Sequence, residues 1–361
     1  MKIDFISIGY YPIIGGTETV VKNLAEKMAL KGHNVTVHAS TYNPNYSGKL
    51  MRREVINGVY VIRYKLLPFY VFLPKIRDPE VIHLFSYGDN FVFQTVLHHS
   101  KKFVSSPIGE EIYSNHKLRN RLMGGRILNY SNVIFALTTY EKIELNRIYG
   151  ISSNKIVVFP VGIKAEDLLP PDTSNVRESI LKVSSEQYFV RLARLDKVKK
   201  LEFGIRLLPR LRNMKYIVVG PTDDMSYLKE LQELSKRLNV EDRVIFTGMV
   251  NEDEKRLLLH KSKFYLIANR ETFGGATIEA IAQGTPIVAP NVEEYKDIVI
   301  DHFNSLIYEY DSIEDCAKKV EKLNEDDGLR QRLRANGIQM AKENFNWDRI
   351  ADAAERIYMS L

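Results

Sequence analysis

The sequence predicts an α/β fold of two doubly wound, Rossmann-like halves, each built on a parallel sheet. Three observations carry this. Short β-branched and aromatic runs alternate with helical patterns from one end to the other, as parallel strands covered by crossover helices require. At 361 residues the chain suits two domains of ordinary size. The alternation falters once, at residues 159–175, where three prolines, a glycine and polar residues make the best linker in the chain.

In order along the first half, strands are expected at 2–8, 34–40, 58–64, 80–85, 102–106, 133–137 and 155–159. In the second half they are expected at 187–192, 215–219, 243–247, 264–268, 286–289 and 305–308. The first helix shows the logic. Thr17 can cap it, Val20, Val21, Leu24, Ala25, Met28 and Ala29 form one apolar stripe, and Gly32 ends it. The domain boundary is expected in the linker, giving a first domain over 1–168 and a second over 169–345.

Composition narrows the class. An apolar fraction of 45% and a charged fraction of 27% are those of a globular chain, not a disordered one. A single cysteine, Cys316, excludes an intrachain disulfide framework and a cysteine zinc cage; its plain role is a buried helix residue. The opening Met-Lys-Ile-Asp-Phe-Ile reads as a first strand rather than a signal peptide. Leu66–Leu73 is apolar, but it is short and contains Pro68, so it is not expected to span a bilayer. The expected location is cytoplasmic. A net charge of +6 permits an anionic partner without demanding nucleic acid. Lys101, Lys102, Lys117, Arg119, Arg121 and Arg126 hold part of the excess, as a solvated face or as a patch for acidic headgroups or a phosphate-bearing acceptor.

Three stretches could carry chemistry. Gly15-Gly16, between the first strand and the first helix, would let a ligand approach the backbone, and the helix start would favour an anion; a ligand-free tight turn is the rival account. Arg194 and Lys199 follow the first strand of the second half, where a bidentate arginine and a mobile lysine suit a diphosphate; a solvated turn is the rival there. Glu271 and Glu279 flank Gly274-Gly275. The glycine pair breaks the helix, so Glu271 falls on a loop and Glu279 in the first helical turns. The amides of Gly275, Ala276 and Thr277 are then expected to be open to an anion. Because carboxylates repel phosphate, the two acids suit neutral hydroxyls on either side of it. A nucleotide sugar has that layout. A glycosidase acid–base pair is the competing use of two carboxylates, but it needs no phosphate-binding turn. His83, at the end of an expected strand, is a further candidate. No Gly-x-Gly fingerprint or P-loop occurs, and no histidines stand at metal-ligand spacing.

These residues resemble the retaining family-4 glycosyltransferases (glycosyl transferases group 1), nearly end to end. The resemblance rests on Gly15-Gly16, Pro79-Glu-Val-Ile-His83, Lys155 to Ile163, Leu192-Ala-Arg194-Leu-Asp-Lys-Val-Lys199, and above all Glu271 to Glu279 with Ala280-Ile-Ala-Gln-Gly-Thr-Pro-Ile-Val-Ala289. It implies the GT-B fold, two Rossmann-like domains facing across a cleft, with a final helix over 346–361 returning to the first. It implies transfer of a hexose from a UDP- or GDP-linked sugar to a hydroxyl of a glycan or lipid-linked acceptor. Configuration would be retained, and neither a cofactor nor a metal would be needed.

The resemblance also implies residue roles. Arg194 and Lys199 would hold the diphosphate, Glu279 the ribose, and Thr277 the distal phosphate. Glu271 would hold the transferred sugar, with backbone near Phe273, Gly274, Gly275 and Ala276. The first domain would take the acceptor, with His83 and Glu110 as candidates. Separately from the resemblance, Leu66–Leu73 with Pro68 and the basic 98–126 region suggest an amphipathic, anionic acceptor such as a polyprenyl-phosphate-linked glycan and peripheral contact with the inner face of an anionic membrane; core strand and solvated surface are the rival account. Three features depart from the family: Ile108 where a histidine is frequent, Ala193 and Lys200 in place of glycines, and a 287–295 stretch without the usual glycines. An epimerase or phosphorylase on the same fold, and a non-catalytic nucleotide-sugar or glycan-binding module, are the alternatives.

Overall fold

The computed structural model describes residues 1–13, 15–41, 48, 50–65, 76, 78–85, 102–108, 118–222, 224–270 and 274–361, with 118–123 described by backbone alone. It divides into two compact units, Met1–Gly162 with Trp347–Leu361, and Ile163–Asn346. The division falls ahead of the expected 168/169 boundary because 163–168 are held by the second unit. Ile163 bridges Asn346, and the Gln283 amide donates to the carbonyls of Asp167 at 2.6 Å and Leu169 at 3.2 Å.

Among the described residues the first unit carries eight strands: β1 (Lys2–Ile6), β2 (Asn34–Ser40), β3 (Arg53–Ile56), β4 (Val59–Tyr64), β5 (Val81–Phe85), β6 (Phe103–Ser106), β7 (Val133–Ala136) and β8 (Ile156–Val158). Their order is β3-β4-β2-β1-β5-β6-β7-β8, with every pairing parallel except β3–β4. Strand β3 was not expected. Its signal is the Asn57-Gly58 pair, at φ +48° and +82°, the chemistry of a two-residue hairpin.

Helix α1 (Gly16–Leu30) starts two residues earlier than Thr17 would have capped it, with Gly15 at the N-cap; Gly32, at φ +85°, closes its far end. It covers one sheet face together with the terminal helix Trp347–Ser360. Their side chains share a core with Ile3, Phe5, Val35, Val37, Val59 and Val61. A charged ladder edges that contact, from Lys27 to Asp348 at 2.5 Å and from Lys31 to Asp352 at 2.5 Å and Glu355 at 2.8 Å. Gly162 admits the buried Trp347 ring, since a Cβ there would lie 2.6 Å from it.

The second unit carries β9 (Tyr188–Leu192), β10 (Lys215–Val219), β11 (Val244–Phe246), β12 (Tyr265–Leu266), β13 (Ile287–Pro290) and β14 (Ser305–Tyr308). The order is β11-β10-β9-β12-β13-β14, all parallel. Strand β9 is buried along its whole length, as a central parallel strand must be. Cys316 is fully buried in a helix, Ile313–Glu325, as expected. The chain runs from β9 to β10 on one side and returns to β12 on the other. The switch point of this sheet therefore lies between β9 and β12, where open α/β sheets bind ligands beyond the strands' carboxyl ends.

Candidate functional site

Two loops leave that switch point: the first carries Arg194 and Lys199, and the second leads through Gly274 to the helix start that holds Gly275, Ala276, Thr277 and Glu279. After β9 the chain runs through Ala193 and Arg194 into a 3₁₀ turn, Lys197–Lys199. Asp196 caps the turn, accepting from the Val198 amide at 3.1 Å, and its other oxygen meets the Arg194 guanidinium at 3.2 Å. Arg194 stays 64% exposed, so its side chain can reach a ligand. Gly220, just beyond β10, makes this path possible. It sits at φ +147°, and a Cβ on it would fall 2.3 Å from the Ala193 carbonyl oxygen.

The second loop follows β12 and enters the helix Gly275–Ala282, with Gly274 as N-cap and no side-chain cap. Glu271 and Phe273 lie outside the described residues, as do Glu110, the run 66–73 and, within the basic stretch 98–126, residues 98–101 and 109–117. Gly274 leaves room for Thr277, whose hydroxyl would stand 2.8 Å from a Cβ there. Of the three amides expected to be open, that of Thr277 already donates to the Gly274 carbonyl at 2.8 Å. An anion is left the amides of Gly275 and Ala276. A tight first turn uses the third donor itself.

Glu279 stands one turn into this helix with its side chain 30% exposed. Its carboxylate meets Lys255 at 3.1 Å, and Lys255 also holds Glu252 at 2.8 Å. Burial raises the Glu279 carboxyl, Asp167 and Glu252 add to this, and Lys255 opposes it. Lys255 escaped the sequence reading because Glu252-Asp-Glu-Lys looks like any solvated helix start. Its pairing with Glu279 is a tertiary fact. Gly220 carried a usable signal, as a glycine at the carboxyl end of an expected strand in a doubly wound sheet.

Gly15 and Gly16 belong to the first unit, and the other donor candidates to the second. Their turn already holds an acid. The Glu18 carboxylate lies against it, so that a Cβ on Gly9 or Gly15 would fall 2.5 or 2.2 Å from its oxygens. Burial raises the Glu18 carboxyl, and a backbone hydrogen bond opposes the rise. The glycines make room for this side chain, which the sequence reading of an open anion site overlooked.

His83 is a core residue. It is 0% exposed, with Nδ1 2.6 Å from the Tyr358 hydroxyl and Nε2 2.7 Å from the Ser106 hydroxyl. The ring packs on Phe5, Phe85 and Phe135, and burial holds its pKa well below the usual value. The expectation that it meets a sugar does not carry over, because both ring nitrogens are engaged inside the fold. Ile108 packs partly buried against the same core. Among the described residues no His, Cys, Asp and Glu group could hold a metal, and no helix is long and apolar enough to cross a membrane.

Comparison with known proteins agrees with this layout. The model of glycosyltransferase family 4 matches residues 14–167, and that of glycosyl transferases group 1 matches 172–340. An uncharacterized glycosyltransferase of Methanocaldococcus jannaschii is 27% identical, covering 99% of this chain and 98% of its own. Among solved structures, sucrose-phosphate synthase from Thermosynechococcus elongatus superposes with a TM-score of 0.82 at 19% identity, covering 99% of this chain and 98% of its own. Anabaena HepE, solved with UDP and glucose, gives 0.79 at 17% identity, with both chains covered fully.

Proposed function

Since the chain belongs to the family-4, group 1 glycosyltransferases and has their GT-B fold, we propose that it moves a hexose from a UDP- or GDP-linked sugar to a hydroxyl, with retention. The observation that carries this is the meeting, at one switch point, of the Arg194–Lys199 loop and the Gly274–Glu279 helix start. Arg194 and Lys199 hold the diphosphate and stabilise the negative charge that grows on it as the glycosidic bond loosens. The amides of Gly275 and Ala276 add fixed partial charge on the same group. Glu279, paired with Lys255, accepts from the ribose hydroxyls, and Glu271 accepts from the transferred sugar.

In the chemical step the bond from the anomeric carbon to the phosphate oxygen breaks. The acceptor oxygen bonds to that carbon on the same face, and its proton passes to the departing phosphate. Protein cations do the work that a metal does elsewhere, so chelators leave the rate unchanged. The acceptor is a glycan or a polyprenyl-phosphate-linked glycan, a proposal resting on the apolar run 66–73 and the basic residues near it in sequence. Contact with an anionic membrane face belongs to the same proposal.

The test is a sugar-nucleotide panel scored for nucleoside diphosphate release, with the product's anomeric configuration read by NMR. Arg194→Ala and Glu271→Ala should each lower release about 10²-fold or more, the scale of losing one charge-stabilising donor. Rates like wild type in both variants would refute the site, and an inverted product would refute retention.

A further inference from the structure

Lys200 departs from the glycine that the resembled family carries there, and it does so in a left-handed conformation, φ +50° and ψ +45°. Glycine enters that region freely and lysine at a cost, so the side chain must return something. Its ammonium lies 4.5 Å from the Tyr310 ring centroid and 2.9 Å from the Tyr310 hydroxyl. It also meets both carboxylate oxygens of Asp311, at 2.7 and 2.9 Å.

Arg270 approaches the same ring, its guanidinium 5.5 Å from the centroid. Arg270 also lies 3.5 Å from Glu294, a carboxylate whose second oxygen is buried with no hydrogen-bond partner. Lys200 follows β9, Arg270 follows β12, Glu294 follows β13, and Tyr310 follows β14. Three loops at the carboxyl edge of one sheet thus meet at one aromatic ring, and the Glu294 loop joins them through Arg270.

We infer that Tyr310 is a positioning residue for the donor: it fastens the Arg194–Lys200 loop to Arg270, just beyond β12, through its two cation–π contacts. This rests on the reading of that loop as part of the nucleotide-sugar site. Lys200 is bound next to Lys199, so the ring acts through the neighbour that touches the diphosphate. Two cation–π contacts to one ring are worth more than one, and they link the two cations to each other in addition to the carboxylates of Asp311 and Glu294 that each one meets.

Calorimetric titration with UDP and with GDP, together with melting temperatures, tests this on Tyr310→Phe, Tyr310→Leu, Lys200→Gly and Arg194→Ala. For the diphosphate that wild type binds, Tyr310→Leu and Lys200→Gly should each weaken affinity about three- to thirtyfold, the range of one or two cation–π contacts. Tyr310→Phe keeps the ring and should stay within about twofold. Lys200→Gly relieves the backbone and should melt no lower than wild type, which separates positioning from folding. Unchanged affinity in Tyr310→Leu and Lys200→Gly would overturn the inference. So would a Tyr310→Phe loss equal to that of Tyr310→Leu. If Arg194→Ala loses binding while Tyr310→Leu does not, only this inference falls; if wild type binds neither diphosphate, the site reading falls with it.

Discussion

Gly220→Ala couples folding to ligand binding at one atom. The new Cβ would stand 2.3 Å from the Ala193 carbonyl oxygen and 2.7 Å from its carbon, against a usual contact of roughly 3.5 Å. Both obstacles are backbone, so no rotamer change relieves them. The loop that carries Arg194 must move by about 1 Å or the sheet must open. Overpacking costs about 1–3 kcal/mol, and forcing a side chain to φ +147° adds about 1–3 kcal/mol. A total of about 2–6 kcal/mol lowers the melting temperature by roughly 4–24 °C in a unit of this size. A displacement of about 1 Å at a positioning loop also costs about 10²-fold in turnover. Differential scanning calorimetry and the diphosphate-release assay read the two effects on one sample. A variant that melts and turns over like wild type would show that Gly220 does not set the path of the Arg194 loop.

Other expectations follow from the same geometry. His83→Phe leaves the Tyr358 and Ser106 hydroxyls unpaired in the core and should destabilise by about 2–4 kcal/mol in urea, while donor affinity of the folded protein stays put. Arg177 binds the Glu254 carboxylate through Nε at 2.6 Å and Nη2 at 2.8 Å and lowers its pKa to about 2, with burial opposing and backbone bonds assisting. Because that acid's folded pKa lies below its free value, its stabilisation is present above about 4.5 and fades as pH falls towards about 2. Urea midpoints in wild type should fall over that window, and Arg177→Ala should flatten the fall. Lys255→Met removes the charge that opposes burial at Glu279, so the Glu279 carboxyl should titrate at higher pH by carbon NMR. Donor affinity near neutrality should weaken in the same variant, and an unmoved titration would argue that the pair does not persist in solution.

Alternation of strands and helices, a single break and local turn chemistry determined the fold class from the sequence by itself. Hydrophobic period and glycine position act over a few residues, so β9, the Lys197–Lys199 turn and the Gly274–Glu279 helix start were legible one by one. The Asn57-Gly58 hairpin was legible too, yet it passed unused because β3 is short and mostly charged or half-exposed.

The tertiary structure decided what each residue faces. His83 looks like a site residue at a strand's end, but register sets it opposite Val104 in β6, where Tyr358, more than two hundred residues away, closes on it. Glu18 reads as an ordinary first-turn acid until the folding of the turn brings Gly9 and Gly15 against its carboxylate. Lys255 finds Glu279, and Lys200 finds Tyr310, across separate crossovers of the sheet. Such contacts join residues far apart in the chain, and no local pattern encodes them. Their physical origin is the strand order, which brings the β9 and β12 loops to one edge and leaves their side chains to choose partners there.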